Sequence, residues 1–288
     1  MPVEPMLSLI ICTRNRATQL ASCLDAVAGI DYAGRWEAVI VDNGSSDGTV
    51  AVIEAFAGRP DFPVRYVFEP VPGLGNARNA GIAAAQGQLL LFTDDDCYVE
   101  PDILSAVASA FANPAIGFVT GRVRLFDPAD APVTINESTV PRRFPPRRFL
   151  PAGLVKGANF AFRAATLAAI AEHGSAFDAR FGSGSLFASE DADAAQRACL
   201  SGWAGSYDPR VIVWHHHGRK DADIAALQKS YDIGRGAFHA KLLGLRGGLL
   251  PGLSAWAGLP RRALTRRGLL RWEIAGAISY WCSRGSDA

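Results

Sequence analysis

The sequence predicts an α/β fold, a mostly parallel sheet with helices on both faces, followed by a C-terminal helical tail. Three observations carry this. Short, near-continuous apolar runs alternate with segments of helical periodicity over the first 112 residues, and strands buried on both faces of a parallel sheet read as unbroken apolar runs. Gly, Pro, Asn and Asp punctuate the joins. Each of the first four apolar runs passes directly into a polar loop. That suits a sheet whose ligand edge lies beyond the carboxyl ends of its strands.

The elements follow in order. "LSLIIC" (7–12) reads as a buried strand, and 16–29 as a helix with Leu20, Cys23, Leu24 and Val27 on one face. Residues 36–41 and 63–69 read as strands around a helix at 48–58. An alanine-rich helix (75–87) leads to the strand "QLLLF" (88–92), and Pro101 opens a helix to 112. Further on, 116–126 reads as a strand with a glycine break, 139–151 as an irregular loop, 154–163 as a strand and 164–173 as a helix. Residues 189–202 begin with Ser189 as N-cap and acids in the first turn, which marks a helix start. Residues 210–218 read as a strand ending in three histidines, with helices expected from 221 onward.

Charge is divided unevenly. Residues 226–288 carry ten Lys/Arg and three acids, +7, while the preceding 225 residues carry 19 and 25, −6. A basic appendage of this kind suits an anionic surface. The five cysteines are widely spaced, without a C-x-x-C pair, and read as reduced thiols of a cytosolic protein. The first apolar run has only six residues and no stretch reaches the ~18 of a membrane span, so a soluble or peripheral protein is expected. No nucleic-acid partner is expected.

The polar loops hold the chemistry. Strand one is followed by Thr13-Arg14-Asn15-Arg16, strand two by "DNGSSDGT" from Asp42, strand three by "EPVPGLGNARNAG" with Arg78, and strand four by Asp94-Asp95-Asp96. Three packed carboxylates repel, and some would stay protonated unless a cation joins them. Oxygen ligands suit Mg²⁺ or Mn²⁺, which fill their shell with substrate phosphates. The trio therefore suggests a metal–diphosphate site, with Asp94 and Asp96 on one side of the extended chain and Asp95 on the other. "GLGNARNAG" has Arg78 where a dinucleotide-binding loop needs its third glycine, and no P-loop occurs.

Five segments, "LSLIICTRNRATQLASCLDAV", "VDNGSSDGT", "GNARNAGIAAAQGQLLLFTDDDC", "GANFAFR" and "SEDADAAQR", come in an order and spacing that resemble family 2 glycosyltransferases over about residues 6–220. The resemblance implies the GT-A fold, a Rossmann-like sheet. It implies a catalytic domain over 1–225, with a nucleotide-sugar half to about 112 and an acceptor half beyond; the charge and periodicity of 226–288 mark a separate basic amphipathic tail. The resemblance also implies a nucleotide-diphosphate sugar donor such as a UDP-sugar, Mn²⁺ or Mg²⁺, inversion at the anomeric carbon, and a glycan or lipid-linked acceptor of the cell envelope. The aspartates become the D-x-D motif, with Asp96 toward the metal and Asp94 toward the ribose beside Asp95. Thr13, Asn15, Asp42 and Arg78 would surround the nucleoside, with Asp42 on the base.

An E-D pair at a helix start supplies the base in that family, here Glu190-Asp191, with Asp191 as base and Glu190 orienting the acceptor. The helix dipole is expected to lower the Asp191 pKa. His215 and His217 face one way, and either could ligate metal. Arg219 and Lys220 could counter the leaving diphosphate or be solvated. "PRRFPPRRF" (141–149) could be a lid, a phosphate contact or a solvated loop, and Trp203 a sugar platform or core. In the tail, Leu270, Ile274, Ala277, Ile278 and Trp281 share a helical face near Arg266, Arg267 and Arg271. Contact with an anionic membrane is favoured over docking on the domain, which would place the protein on the inner face of the cell membrane. The competing readings are a sugar nucleotidyltransferase and an inactive nucleotide-sugar-binding protein.

Overall fold

The computed structural model describes residues 6–59, 62–259 and 270–283. In chain order the elements are β1 (Leu7–Thr13), α1 (Ala17–Ala28), β2 (Trp36–Asp42), α2 (Thr49–Ala57), β3 (Val64–Phe68), α3 (Leu74–Ala84), β4 (Leu89–Asp94), β5 (Cys97–Val99) and α4 (Ile103–Ala110). Then come β6 (Ile116–Leu125), β7 (Arg142–Phe144), β8 (Asn159–Arg163), α5 (Ala164–Ile170), α6 (Glu190–Leu200), β9 (Ala204–His215), α7 (Ile224–Gly244), α8 (Leu249–Ala257) and α9 (Leu270–Ser283).

Among the described residues the strands form one sheet, ordered β3-β2-β1-β4-β8-β6-β9-β5, with β7 added beside β9. The four strands of the first half are parallel and follow the apolar runs closely. Beyond β4 the sheet is mixed. β8 is antiparallel to β4 and β6, and β5 and β7 are antiparallel to β9. Alternation along β1 divides the core. Leu7, Leu9 and Ile11 join the cluster under α1 and α4, while Ile10 joins Val39, Val41 and Phe92 on the other face.

Three local expectations change. Of 154–163 only Asn159–Arg163 is strand, because Asn159 is pinned there: its amide donates to the Arg122 and Val211 carbonyls, at 2.9 Å each. The 139–151 segment is not wholly irregular. Phe144 is buried against Phe118, pairing β7 to β9, while Arg142, Arg143, Arg147 and Arg148 are exposed. Ser189 does precede α6, but at φ +86° with no side-chain cap, so only its carbonyl starts the helix, accepting from Asp193 N–H.

The C-terminal helices dock onto the rest of the chain. Phe238 and Leu242 of α7 and Tyr280 of α9 share a cluster with Phe181, Phe187 and Ala192. α7 and α9 approach closely at glycine: a Cβ on Gly236 would lie 1.8 Å from the Glu273 carbonyl oxygen. Lys241, almost fully buried, donates to Asp178 Oδ2 and Asp193 Oδ2, each at 2.9 Å, and so bolts α7 to α6. The face used for docking is Glu273, Gly276 and Tyr280, which leaves Ile274, Ile278 and Trp281 of the predicted face exposed. Arg266 and Arg267 lie outside the described residues. No described helix is long and apolar enough to cross a membrane.

Removing one partner of a buried ion cluster strands the others without compensation. Lys241→Met is therefore expected to destabilise the chain by about 3–5 kcal/mol, read as a lower urea midpoint with an unchanged slope.

Candidate active site

Strand register assembles the site. Thr13 pairs beside Asp42 and Cys12 beside Asp94, so the ends of β2, β1 and β4 adjoin. The chain then turns at Asp95 and Asp96 into β5, where Cys97 pairs with His215 at the end of β9. β8 enters with Asn159 opposite Thr93, which brings the preceding Lys156 and Gly157 to the same edge. These ends line a cavity of about 950 Å³, together with Glu190 and Asp191 of α6 and Leu227, Gln228 and Tyr231 of α7.

The three aspartates have separate partners. Asp95 accepts from Thr13 Oγ1 at 2.7 Å and pairs with Arg16 Nε at 2.9 Å. Burial nevertheless pushes its carboxyl up to about 7, against Arg16 and Thr13. Asp96 pairs with Arg16 through Oδ2 at 2.6 Å and with His215 Nε2 through Oδ1 at 3.2 Å. Burial raises the Asp96 carboxyl, but the His215 hydrogen bond and the nearby positive charges outweigh it and hold it below its ordinary value. Asp94 is raised by burial and by Asp96, with Arg78 opposing from 3.6 Å. The side chains thus divide as the alternation predicts: Asp94 and Asp96 converge, and Asp95 turns toward Thr13.

Asp94, Asp96, Cys97 and His215 offer ligand atoms that all lie within 4.8 Å of one another. Burial pushes the Cys97 thiol well above its ordinary pKa, and the other three donors are two carboxylates and an imidazole. That donor set fits a divalent cation. His215 Nδ1 lies 3.3 Å from the Thr134 hydroxyl, which orients the ring. His217 is not in this group. Its Nδ1 accepts from the Arg219 N–H at 3.0 Å and lies 3.7 Å from Asp130.

Arg78 joins the aspartates to α6. It is 2 % exposed, donates from Nη1 to Glu190 Oε1 at 2.6 Å and from Nη2 to the Gly157 carbonyl at 3.1 Å, and lies over the rings of Phe160 and Phe177. Asp191 Oδ1 accepts its own helix's Ala192 N–H at 2.7 Å. The expectation that the helix dipole lowers the Asp191 pKa is not met. Burial, and then the Glu190 carboxylate, push it up to about 7 against Arg78, the Ala192 amide and Lys156. Gly157 keeps this corner open, since a Cβ there would touch Asp191 Oδ2 and Glu190 Oε1, each at 3.6 Å.

Of the residues the sequence singles out, Thr13, Arg78, Asp94, Asp95, Asp96, Glu190, Asp191 and His215 line the cavity. Asp42 and Asn15 are placed elsewhere. Asp42 is fully buried and accepts from the Ser45 N–H at 2.9 Å, and Asn15 is exposed and accepts from the Ser46 N–H at 2.7 Å. Both shape the loop after β2. Arg219 lines the cavity, whereas Lys220 is held by Asp130 at 2.6 Å. Trp203 packs against the core, and none of 141–149 reaches the cavity. Arg16, Asn43, Thr134, Lys156 and Tyr231 also line it without having been assigned a role. The position of Arg16 just past strand one was a usable signal. Tyr231 left none, because only the docking of α7 brings it there.

Residues 8–171 match the family described as glycosyl transferase family 2. The chain belongs to that family. Relatives include glycosyltransferase AglE of Haloferax volcanii, 32% identical over 125 residues (43% of this chain, 41% of AglE). An N-acetylglucosaminyltransferase of Mesorhizobium japonicum is 34% identical over 125 residues (41% and 28%). The chain thus spans less than half the length of these curated relatives. Among solved structures it is similar to the mannosyltransferase PcManGT of Pyrobaculum calidifontis in complex with GDP-Man and Mn²⁺, with a TM-score of 0.66 and 20% identity over 97% of this chain and 88% of that one. Staphylococcus aureus TarS 1–349 in complex with UDP-GlcNAc gives a TM-score of 0.64 and 16% identity over 91% and 73%. At such identities the likeness is one of fold, and that fold is the family's GT-A fold.

The Asp191 shift has a measurable consequence. A folded pKa of about 7 lies above the unfolded value of about 3.9, so the folded chain binds this proton more tightly. That stabilisation is complete below about pH 4 and is lost as pH rises through about 7. Asp191→Asn has no such proton to lose. Its stability relative to wild type should rise between pH 4 and pH 8 in urea melts, and a difference that stays flat or falls would contradict the buried placement.

Proposed function

We propose that the chain is a metal-dependent, inverting glycosyltransferase that moves a sugar from a nucleotide-diphosphate donor to a hydroxyl of a glycan or lipid-linked acceptor. One observation carries this reading: the aspartate turn with His215 and the Glu190-Asp191 pair face one cavity and are joined by Arg78. A nucleotidyltransferase or a passive binding protein has no need for a second carboxylate pair on the same cavity, linked to the first through Arg78.

Asp94, Asp96 and His215 would hold the cation, and the chemistry it supplies is neutralisation of the departing diphosphate. Asp191 Oδ2 accepts the proton of the acceptor hydroxyl as that oxygen bonds to the anomeric carbon. The bond from that carbon to the diphosphate breaks on the opposite side, and its electron pair leaves with the diphosphate. One displacement therefore inverts the centre. A carboxylate near 7 is well matched to taking a proton at neutral pH. Glu190, fixed by Arg78, orients the acceptor, and Arg219 and Arg16 add positive charge on the diphosphate side. Asp42 acts through the loop it braces, with Asn43 on the cavity wall. His217 is a neighbour that packs beside His215. The exposed apolar residues of α9 keep the tail a candidate for an anionic membrane surface on the cytoplasmic side, where a lipid-linked acceptor would be met.

Two outcomes test the reading. In a thermal-shift panel of UDP, GDP, dTDP and CMP with and without Mn²⁺, one nucleoside diphosphate should stabilise the chain only with the metal, and Asp96→Ala should abolish that shift. Asp191→Asn should keep the shift and lose transfer by about 10²–10⁴-fold; near wild-type turnover would remove Asp191 as the base. The rate of transfer per donor bound should climb with pH to a plateau with a midpoint near 7, because the base must be ionised. A profile that falls over that range would contradict the assignment.

A further inference from the structure

Six cationic side chains line the cavity: Arg14, Arg16, Arg78, Lys156, Arg219 and Arg235. Three are spent on protein carboxylates, Arg16 on Asp95 and Asp96, Arg78 on Glu190, and Arg235 on Asp232 and Glu273. Arg14 is exposed, and the charge of Arg219 is felt by Asp96, which puts it on the diphosphate side. Lys156 is different. It is half-buried beside the Glu190-Asp191 pair, yet among the described residues its ammonium makes no hydrogen bond and no ion pair.

A lysine whose only role was to offset Asp191 would be expected to reach it. Instead Asp191 Oδ1 takes its own helix amide. Burial pushes the Lys156 pKa down and the Asp191 charge opposes this, so the lysine stands on the cavity wall beside Asp191 with no protein acceptor in hydrogen-bond contact. An anion entering the cavity would supply the missing acceptor. The wall also holds Tyr231 of α7. Its phenol is raised by burial and by Asp191, Asp94 and Glu190, so it stands within the field of both carboxylate groups. An aromatic ring there offers a flat apolar face with a polar tip, the combination that suits a sugar ring.

We propose that Lys156 and Tyr231 form a subsite for a sugar ring carrying an anionic substituent, a carboxylate or a phosphate, next to Asp191. The charge sits on the donor sugar or on the acceptor, and in either case the recognising chemistry is the same charge-assisted hydrogen bond from Nζ. The subsite rests on the transferase reading above and narrows its substrates.

The test uses the full chain with Mn²⁺ and whichever nucleoside diphosphate of UDP, GDP and dTDP binds, with the matching uronate and neutral hexose in the donor arm. In the donor arm, calorimetry compares UDP-glucuronate with UDP-glucose, or GDP-mannuronate with GDP-mannose. In the acceptor arm, the chain saturated with nucleotide is titrated with glucose 6-phosphate and with glucose. One arm should favour the charged compound by about tenfold or more. Lys156→Gln should erase that preference and Lys156→Arg keep it, with thermal melting to check that each variant is folded. Tyr231→Ala should weaken charged and neutral sugars alike. Preference in the first arm places the anion on the donor, and preference in the second places it on the acceptor. No preference in the wild-type chain in either arm, a result that needs no variant, overturns the proposal, as does a preference that survives in Lys156→Gln. Failure of UDP, GDP, dTDP and CMP all to bind with Mn²⁺ would overturn the transferase reading and this subsite with it.

Discussion

Five carboxylates facing one cavity are what this fold must hold together. Asp94, Asp95, Asp96, Glu190 and Asp191 come from two parts of the chain almost a hundred residues apart, and each is at least partly removed from water. Left alone they would repel or take up protons. Arg16 and Arg78 oppose this, one across Asp95 and Asp96 and the other between Asp94 and Glu190. Arg78 matters most because it is buried and spans both halves. A planar guanidinium with several fixed donors can serve Glu190, Asp94 and a backbone carbonyl at once, which an ammonium could not do in the same geometry.

The balance is incomplete, and the shortfall is informative. Asp95 and Asp191 both sit near 7, where an ordinary carboxylate would long since have ionised. Burial thus favours the protonated form of one carboxyl in the aspartate turn and of one at the start of α6. Stability given up at such positions is commonly what function requires.

The parallel half of the fold was legible because its signals are local. Strands such as Leu7–Thr13 and Leu89–Asp94 are buried on both faces and so carry unbroken apolar runs, and their ends announce the ligand edge. The site residues on those ends, and the Glu190-Asp191 pair at a helix start, could be read the same way. What stayed hidden depends on long-range contact. The burial that raises Asp191 overrides the helix dipole, a sum of neighbours no window of sequence contains. Asp42 and Asn15 stand at the expected strand ends, and each accepts a backbone amide of the next loop, a contact no sequence window shows. The tail shows the same limit: its apolar periodicity singles out Ile274, Ile278 and Trp281, which stay exposed, while the close approaches at Gly236 and Gly276 set the face that docks. That docking makes α7 part of the cavity wall.

The central claim is that the aspartate turn and His215 form a seat for a cation that grips a diphosphate, with Arg78 holding the base pair in place beside it. The most direct measurement is manganese anomalous scattering from crystals grown with the nucleoside diphosphate that binds. The account predicts one manganese peak among Asp94, Asp96 and His215, in contact with the nucleotide's phosphates, with Arg78 still on Glu190. Manganese and nucleotide bound elsewhere, with Asp94 to Asp96 retaining only protein partners, would contradict it.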